Sequence, residues 1–224
     1  MLFLCFVVLN RPAAAGTGFP DVPDNHWAAK HISKMNALKV TQGYEDGTFK
    51  PNQSVTQTEA VVMASRSVNK VIGYATSIPF KVPDWARQDV ARALELGLLK
   101  NDETFSAQTE ANRAWIVRLL VRMIDKELEA LGTKIKPVFN DSYQIPDWAS
   151  GYIKVAQDKN LVTGYDDNTF KPNRAVTRAE LAVFLSRAQE YLQDSPSILK
   201  GRLVEIDYSR LTVNDAKGKK HTLA

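Results

Sequence analysis

Two arginines stand where an anion can be gripped. Arg178 and Arg113 each take the first position of an expected helix, directly after the capping residues Thr177 and Asn112. Positive charge at that place opposes the helix macrodipole by roughly 0.3–1 kcal/mol, so a residue kept there against its local preference is a candidate for function. A guanidinium can also take a carboxylate in bidentate fashion. The competing role is a solvated arginine or a surface ion pair. Replacing Arg178 by alanine is, on position alone, expected to leave stability unchanged or slightly raised.

Other chemistries find less support. Glu59 and Glu180 stand three places after Thr56 and Thr177, the spacing of a reciprocal capping box, and read as caps rather than general bases. Asp166-Asp167-Asn168 lacks the alternating ligands and final glutamate of a calcium loop. His26, His31 and His221 have no metal-ligand spacing. No nucleophile–base arrangement and no phosphate-cradling glycine loop is present, so neither enzyme, metal nor cofactor is expected. Trp27, Trp85 and Trp148 each stand near a helix start, where an indole serves a core as readily as a sugar-stacking platform.

The elements that hold these residues recur. Gly164 to Glu180 reads as a turn, a Phe-Lys-Pro-Asn passage and a capped helix start, and Gly43 to Glu59 matches it without a gap. Trp27 and Trp148, Gly43 and Gly164, and Glu59 and Glu180 are all 121 residues apart, which marks an internal repeat. The glycines serve the turn most simply, although a small residue also lets a ligand approach the backbone. Leu181, Phe184, Leu185 and Ala188 then follow the spacing of one buried helix face. In the first copy Ala28, Ile32, Met35 and Leu38 supply an earlier helix, and Ala60, Val61 and Ala64 the inward face of the next.

A third, degenerate copy lies between them. Trp85 follows the lead-in from Phe80, and Val90, Ala93, Leu94 and Leu98 form its first helix. Its turn is two residues shorter and has lost the Gly-Tyr-x-Asp-Gly pattern. Trp115 stands where the other copies have glutamate, so Asn112 can cap but no box can close.

The ends differ from the repeats. An apolar run from Leu2 to Leu9 precedes Ala13-Ala14-Ala15, which together read as a signal peptide over residues 1–15, without a basic start. Cys5, the only cysteine, falls inside it, so the mature chain is expected to hold no disulfide. After a polar linker at 193–197, residues 202–207, 211–213 and 221–223 read as strands of a β segment spanning 198–224. That segment reads as the start of a further domain or as a small hairpin. The chain is 44% hydrophobic and carries a net charge of +4 with no long basic run, which argues against a nucleic-acid partner.

Phe-x-Asp before a Trp, then Gly-Tyr-x-Asp-Gly-Thr-Phe-x-Pro, then Thr-Arg-Ala-Glu resembles the S-layer homology domain. The resemblance divides the chain into repeats at 16–68, 80–132 and 139–192. It implies a mainly α fold, a pseudo-threefold trimer around a central helical bundle with grooves between repeats. It also implies a secreted cell-surface protein that is no enzyme and has no membrane span in its mature chain. Such a protein holds to the wall non-covalently, its partner a pyruvylated secondary polysaccharide and, beyond that, other S-layer subunits. A pyruvate ketal carries a carboxylate, which suits cations and helix N-termini. The ligand set implied is Arg178, Arg113, Gln57, Trp27, Trp85, Trp148, Gly43, Gly164, Asp21, Asp141, Lys50 and Lys171. Gln57 replaces the arginine in the first repeat, which weakens that repeat's share of an anion site. A helical-repeat module for protein partners, and a wall-gripping domain of an outer-membrane protein, are the alternatives.

Overall fold

The computed structural model describes residues 17–69, 77–101, 103–193, 201–207, 210–215 and 220–223. The expected signal peptide with Cys5, most of the polar linker and the turn at 216–219 lie outside the described residues. The protein is mainly helical. The helices are α1 (Ala29–Ala37), α2 (Gln57–Ser67), α3 (Arg87–Glu95), α4 (Arg113–Met123), α5 (Glu127–Gly132), α6 (Asp147–Asp158) and α7 (Arg178–Gln193). Strands β1 (Gly201–Asp207), β2 (Arg210–Asp215) and β3 (Lys220–Leu223) form one antiparallel sheet in that order.

Side-chain caps start the second helices. Thr56 Oγ1 accepts from the Glu59 amide and the Glu59 carboxylate accepts from the Thr56 amide, at 3.2 and 2.8 Å. Thr177 and Glu180 repeat this at 3.3 and 2.9 Å. Asn112 Oδ1 accepts from the Trp115 amide at 2.9 Å, and the second unit has no reciprocal carboxylate. The first helices end in a left-handed residue, Lys39, Gly97 and Asn160 in turn, with φ of 60°, 70° and 53°. In each unit the lead-in phenylalanine packs on the phenylalanine beyond the turn, with ring centroids 5.3 Å (Phe19–Phe49), 4.9 Å (Phe80–Phe105) and 5.4 Å (Phe139–Phe170) apart.

The three units close on each other head to tail. α2 packs on α3 of the second unit, α4 on α6 of the third, and α7 returns to α1 of the first. α2, α4 and α7 also touch one another pairwise, forming the central bundle. Their apolar stripes, including Val61, Ile116, Leu120, Leu181 and Leu185, are fully buried. Just before these helices, three backbone hydrogen bonds make a closed ring. Val55 N donates to Val176 O, Val176 N to Ala111 O, and Ala111 N to Val55 O, each at 2.9 Å.

Some expectations change. Leu38 lies past the end of α1 and is half exposed, so the buried stripe ends at Met35. Gln193 belongs to α7, not to a linker. Trp27 precedes α1, Trp85 lies in a 3₁₀ turn at Asp84–Ala86, and only Trp148 stands inside its helix. Helix α5 was not expected, because its one buried residue, Ala130, leaves no periodic stripe to read.

The α1–α7 seam carries a titratable group. His31 Nδ1 lies 2.9 Å from Ser186 Oγ, and Lys34 Nζ donates to the Ser186 carbonyl at 3.2 Å. Burial, then Arg187, Lys30 and Lys34, lower the His31 pKa from its ordinary value, with Glu190 opposing. The unfolded chain therefore binds this proton more readily than the folded one. The seam's full stability is present above the unfolded pKa and falls as pH drops below it. Thermal melts are expected to show a midpoint that declines from pH ~7 to ~5. His31→Gln should flatten that slope, and an identical slope in the variant would exclude His31 as its source.

Candidate functional site

Each second helix sends its first residue into the turn of a neighbouring unit. Arg178 Nε donates to Phe49 O at 2.7 Å and its Nη2 to Gln42 O at 2.9 Å. The guanidinium lies over Tyr44 and Phe49, 4.7 Å from each ring centroid. Arg113 does the same one unit on, donating to Phe170 O and Thr163 O at 2.9 Å and lying 4.7 Å from the Tyr165 centroid. Gln57 completes the cycle by accepting from the Ser106 amide at 3.0 Å. Both arginines are at least 94% buried. Their backbone amides are also used, Arg178 N donating to Gln53 O and Arg113 N to Arg174 O. The conflict with the macrodipole is thus met by carbonyl oxygens of the next unit. This corrects the expectation that removing Arg178 leaves stability unchanged.

Other candidates hold the turns. Asp21 accepts from the Phe49 and Lys50 amides at 2.8 and 2.7 Å, and Asp141 from those of Phe170 and Lys171 at the same distances. These carboxylates pin Lys50 and Lys171, which have φ of 56°. The Lys50 and Lys171 ammonium groups pair with Asp46 and Asp167 at 3.3 and 3.0 Å and lie over Tyr44 and Tyr165. A Cβ on Gly43 would fall 2.5 Å from Phe19 Cε1, and one on Gly164 2.6 Å from Phe139 Cε1. Their small size thus seats the lead-in aromatic ring. The tryptophans are different: Trp27, Trp85 and Trp148 are 62%, 58% and 46% exposed.

The three grooves are not alike. In the third unit a cavity of about 440 Å³ is lined by Trp27 of the first unit, Arg113 of the second, and Gly164, Tyr165, Glu180 and Arg187. Glu180 is shared. It accepts from Tyr165 Oη at 3.1 Å and Arg174 Nη1 at 2.6 Å, and lies 3.9 Å from Arg113 Nη1. Burial raises its pKa, but the Thr177 amide and Arg174 outweigh that and hold the carboxyl below its ordinary value.

The arginine two turns into each second helix decides the contrast. In the first unit, Arg66 is taken up by Asp89 of α3 at 2.8 Å. In the second, Arg122 bonds Glu127 at 2.7 Å and pairs with Glu103, while Arg118 lies 4.7 Å from the Trp148 centroid. Glu127 also accepts from Tyr152 Oη at 2.7 Å and pairs with Lys100 at 2.9 Å. Burial raises the Glu127 pKa, but Lys100, Tyr152 and Arg122 bring it down to about 2. Facing the third unit, His31 of the first unit stands where Asp89 stands in the second, four residues after the tryptophan. Among the described residues no carboxylate ion pair holds Arg187, whose Nη1 donates to Leu161 O at 3.5 Å. Tyr165, Arg174 and Arg187 were not singled out from sequence. The pairing of Arg66 and Arg187 across the 121-residue offset, with Asp89 exchanged for His31, was the available signal.

The comparisons agree with this architecture. The S-layer homology domain matches residues 18–61 and 138–182. The chain is 26% identical to the S-layer protein EA1 of Bacillus anthracis over 80% of its own length and 21% of that protein's. It is 27% identical to a cellulosome-anchoring protein of Acetivibrio thermocellus, covering 84% of the chain and 42% of the relative. An endoglucanase of a Bacillus species is 27% identical over 83% of the chain and 20% of the enzyme. The chain thus spans well under half the length of these relatives. The matched S-layer homology domain segments fall in the first and third units. The second unit, outside the match, takes the remaining place in the ring.

Proposed function

We propose that this chain anchors an exported protein to the cell wall by binding an acidic, pyruvylated wall polysaccharide in the groove of its third unit. The observation that carries the reading is the cavity where Trp27 and Arg113 meet Arg187, which has no carboxylate partner among the described residues. A ketal-linked carboxylate suits the Arg187 guanidinium, and the exposed indole offers a face to a sugar ring. Arg66 and Arg122, already paired, leave the other two grooves without an equivalent charge. The relatives support the anchoring role by their variety, since a surface-lattice protein, a cellulosome anchor and an endoglucanase share this segment. What they share is best read as attachment, with the chemistry of each lying elsewhere. No described helix is long and apolar enough to cross a membrane.

The test is co-sedimentation with purified wall sacculi, with and without their acid-labile polysaccharide. Arg187→Gln and Trp27→Ala should each weaken binding by roughly ten-fold, about 1.4 kcal/mol. Thermal midpoints should stay near the parent's, because Trp27 is largely exposed and Arg187 carries no ion pair among the described residues. Undiminished sedimentation of both folded variants would move the site out of this groove.

A further inference from the structure

We propose that the third unit carries a second saccharide subsite on its outer face, so that the chain grips a glycan segment longer than one residue. This rests on the wall-polymer reading above. A separate cavity of about 410 Å³ lies between the 3₁₀ turn at Ser142–Gln144 and the passage from Thr169 to Arg174. Tyr143, Gln144, Asn173 and Arg174 line it together with Asn140 and Lys171. Tyr143 is 84% exposed, so core packing does not account for its ring. Gln144 Nε2 donates to Tyr143 Oη at 3.0 Å, which orients the phenol and leaves the amide oxygen to accept from a ligand hydroxyl. An aromatic face with amides and a guanidinium suits a neutral, hydroxyl-rich ring.

Arg174 connects this cavity to the groove. It lines the outer cavity, and its Nη1 bonds Tyr165 Oη and Glu180 Oε1, both of which line the groove. One guanidinium therefore links the lining of the two spaces. The scaffold does not require these side chains. Counted from the lead-in phenylalanines Phe19 and Phe139, Pro23 and Asp24 of the first unit stand in place of Tyr143 and Gln144, and at the 121-residue offset Gln53 stands in place of Arg174. Asn140 and Asp141, by contrast, brace the loop, Asn140 Nδ2 donating to Asp167 O at 2.8 Å and Asp141 accepting from the Phe170 and Lys171 amides. The acidic residue of the glycan then sits against Arg187, and the adjoining neutral residue against Tyr143.

Calorimetric titration with a pyruvylated monosaccharide and a pyruvylated trisaccharide from the same wall polymer tests this. The trisaccharide should bind at least roughly ten-fold tighter. Tyr143→Ala should abolish that gain while leaving monosaccharide affinity and the thermal midpoint unchanged. Equal affinity for the two fragments, or a full gain retained in Tyr143→Ala, overturns the subsite and leaves the groove reading standing. If neither fragment binds the parent protein, both readings fail.

Discussion

Arg178→Ala is expected to lower stability by roughly 3–6 kcal/mol, the sum of two charge-assisted hydrogen bonds. At about 2–4 °C per kcal/mol for a chain of this size, the midpoint falls by on the order of 10 °C. The cause lies at both ends of the contact. The substitution removes a side chain that is 94% buried, and it strands Phe49 O and Gln42 O. It also removes the packing of the guanidinium on Tyr44 and Phe49. Arg178→Lys should recover less than half the loss, because one ammonium cannot span two carbonyls in the guanidinium's fixed fork. Gln57→Ala, which removes one neutral bond to the Ser106 amide, should cost only about 0.5–1.5 kcal/mol. Differential scanning calorimetry of the three variants checks the order. A folded Arg178→Ala protein melting at the parent's midpoint would show that the arginine does not staple the third unit to the first.

That expectation reverses what the position of Arg178 suggests in isolation, and the reason is long range. Helix starts, caps and apolar stripes follow from residues within a turn or two, so the 121-residue offset and the Thr-x-x-Glu spacing make them legible. The partners of Arg178, Gln42 and Phe49, are well over one hundred residues away and offer only backbone oxygens, which have no signature in a sequence. The cyclic order of the units is equally hidden, since it is written in which carbonyls the helix-leading residues reach.

The clamps were more accessible. Asp21 and Asp141 each stand two residues after a lead-in phenylalanine in the units that keep the long turn, while Val82 stands there in the unit that lost it. An aspartate that comes and goes with a turn is its support before it is a ligand. The same reasoning separates the grooves. A repeat predicts three equivalent sites, but equivalence fails at single positions across the seams: Asp89 against Arg66, His31 against Ser186, Tyr152 against Glu127. Those residues lie on the first helices, away from the motif that marks the repeat.

Removing the third unit is expected to abolish cooperative folding of the rest. A chain of residues 17–132 should show no sigmoidal thermal transition, where residues 17–193 show one. The ring before the second helices depends on all three members: without Val176, the Val55 amide loses its acceptor and the Ala111 carbonyl its donor. The larger loss is apolar. α1 and α4 give up the surfaces they bury on α7 and α6, and α2 and α4 lose their third partner in the bundle. Fully burying a single leucine or isoleucine contributes about 1.5–3 kcal/mol. Exposure of several at once therefore exceeds the roughly 5–15 kcal/mol by which whole domains are stable. Repeats that cannot bury their own faces behave this way, and a closed ring more strictly than an open array, because no unit is terminal. Circular dichroism melts of the two chains decide it. A truncated chain that melts cooperatively within a few degrees of the parent would mean that two units suffice, and that the ring joins folded parts instead of creating them.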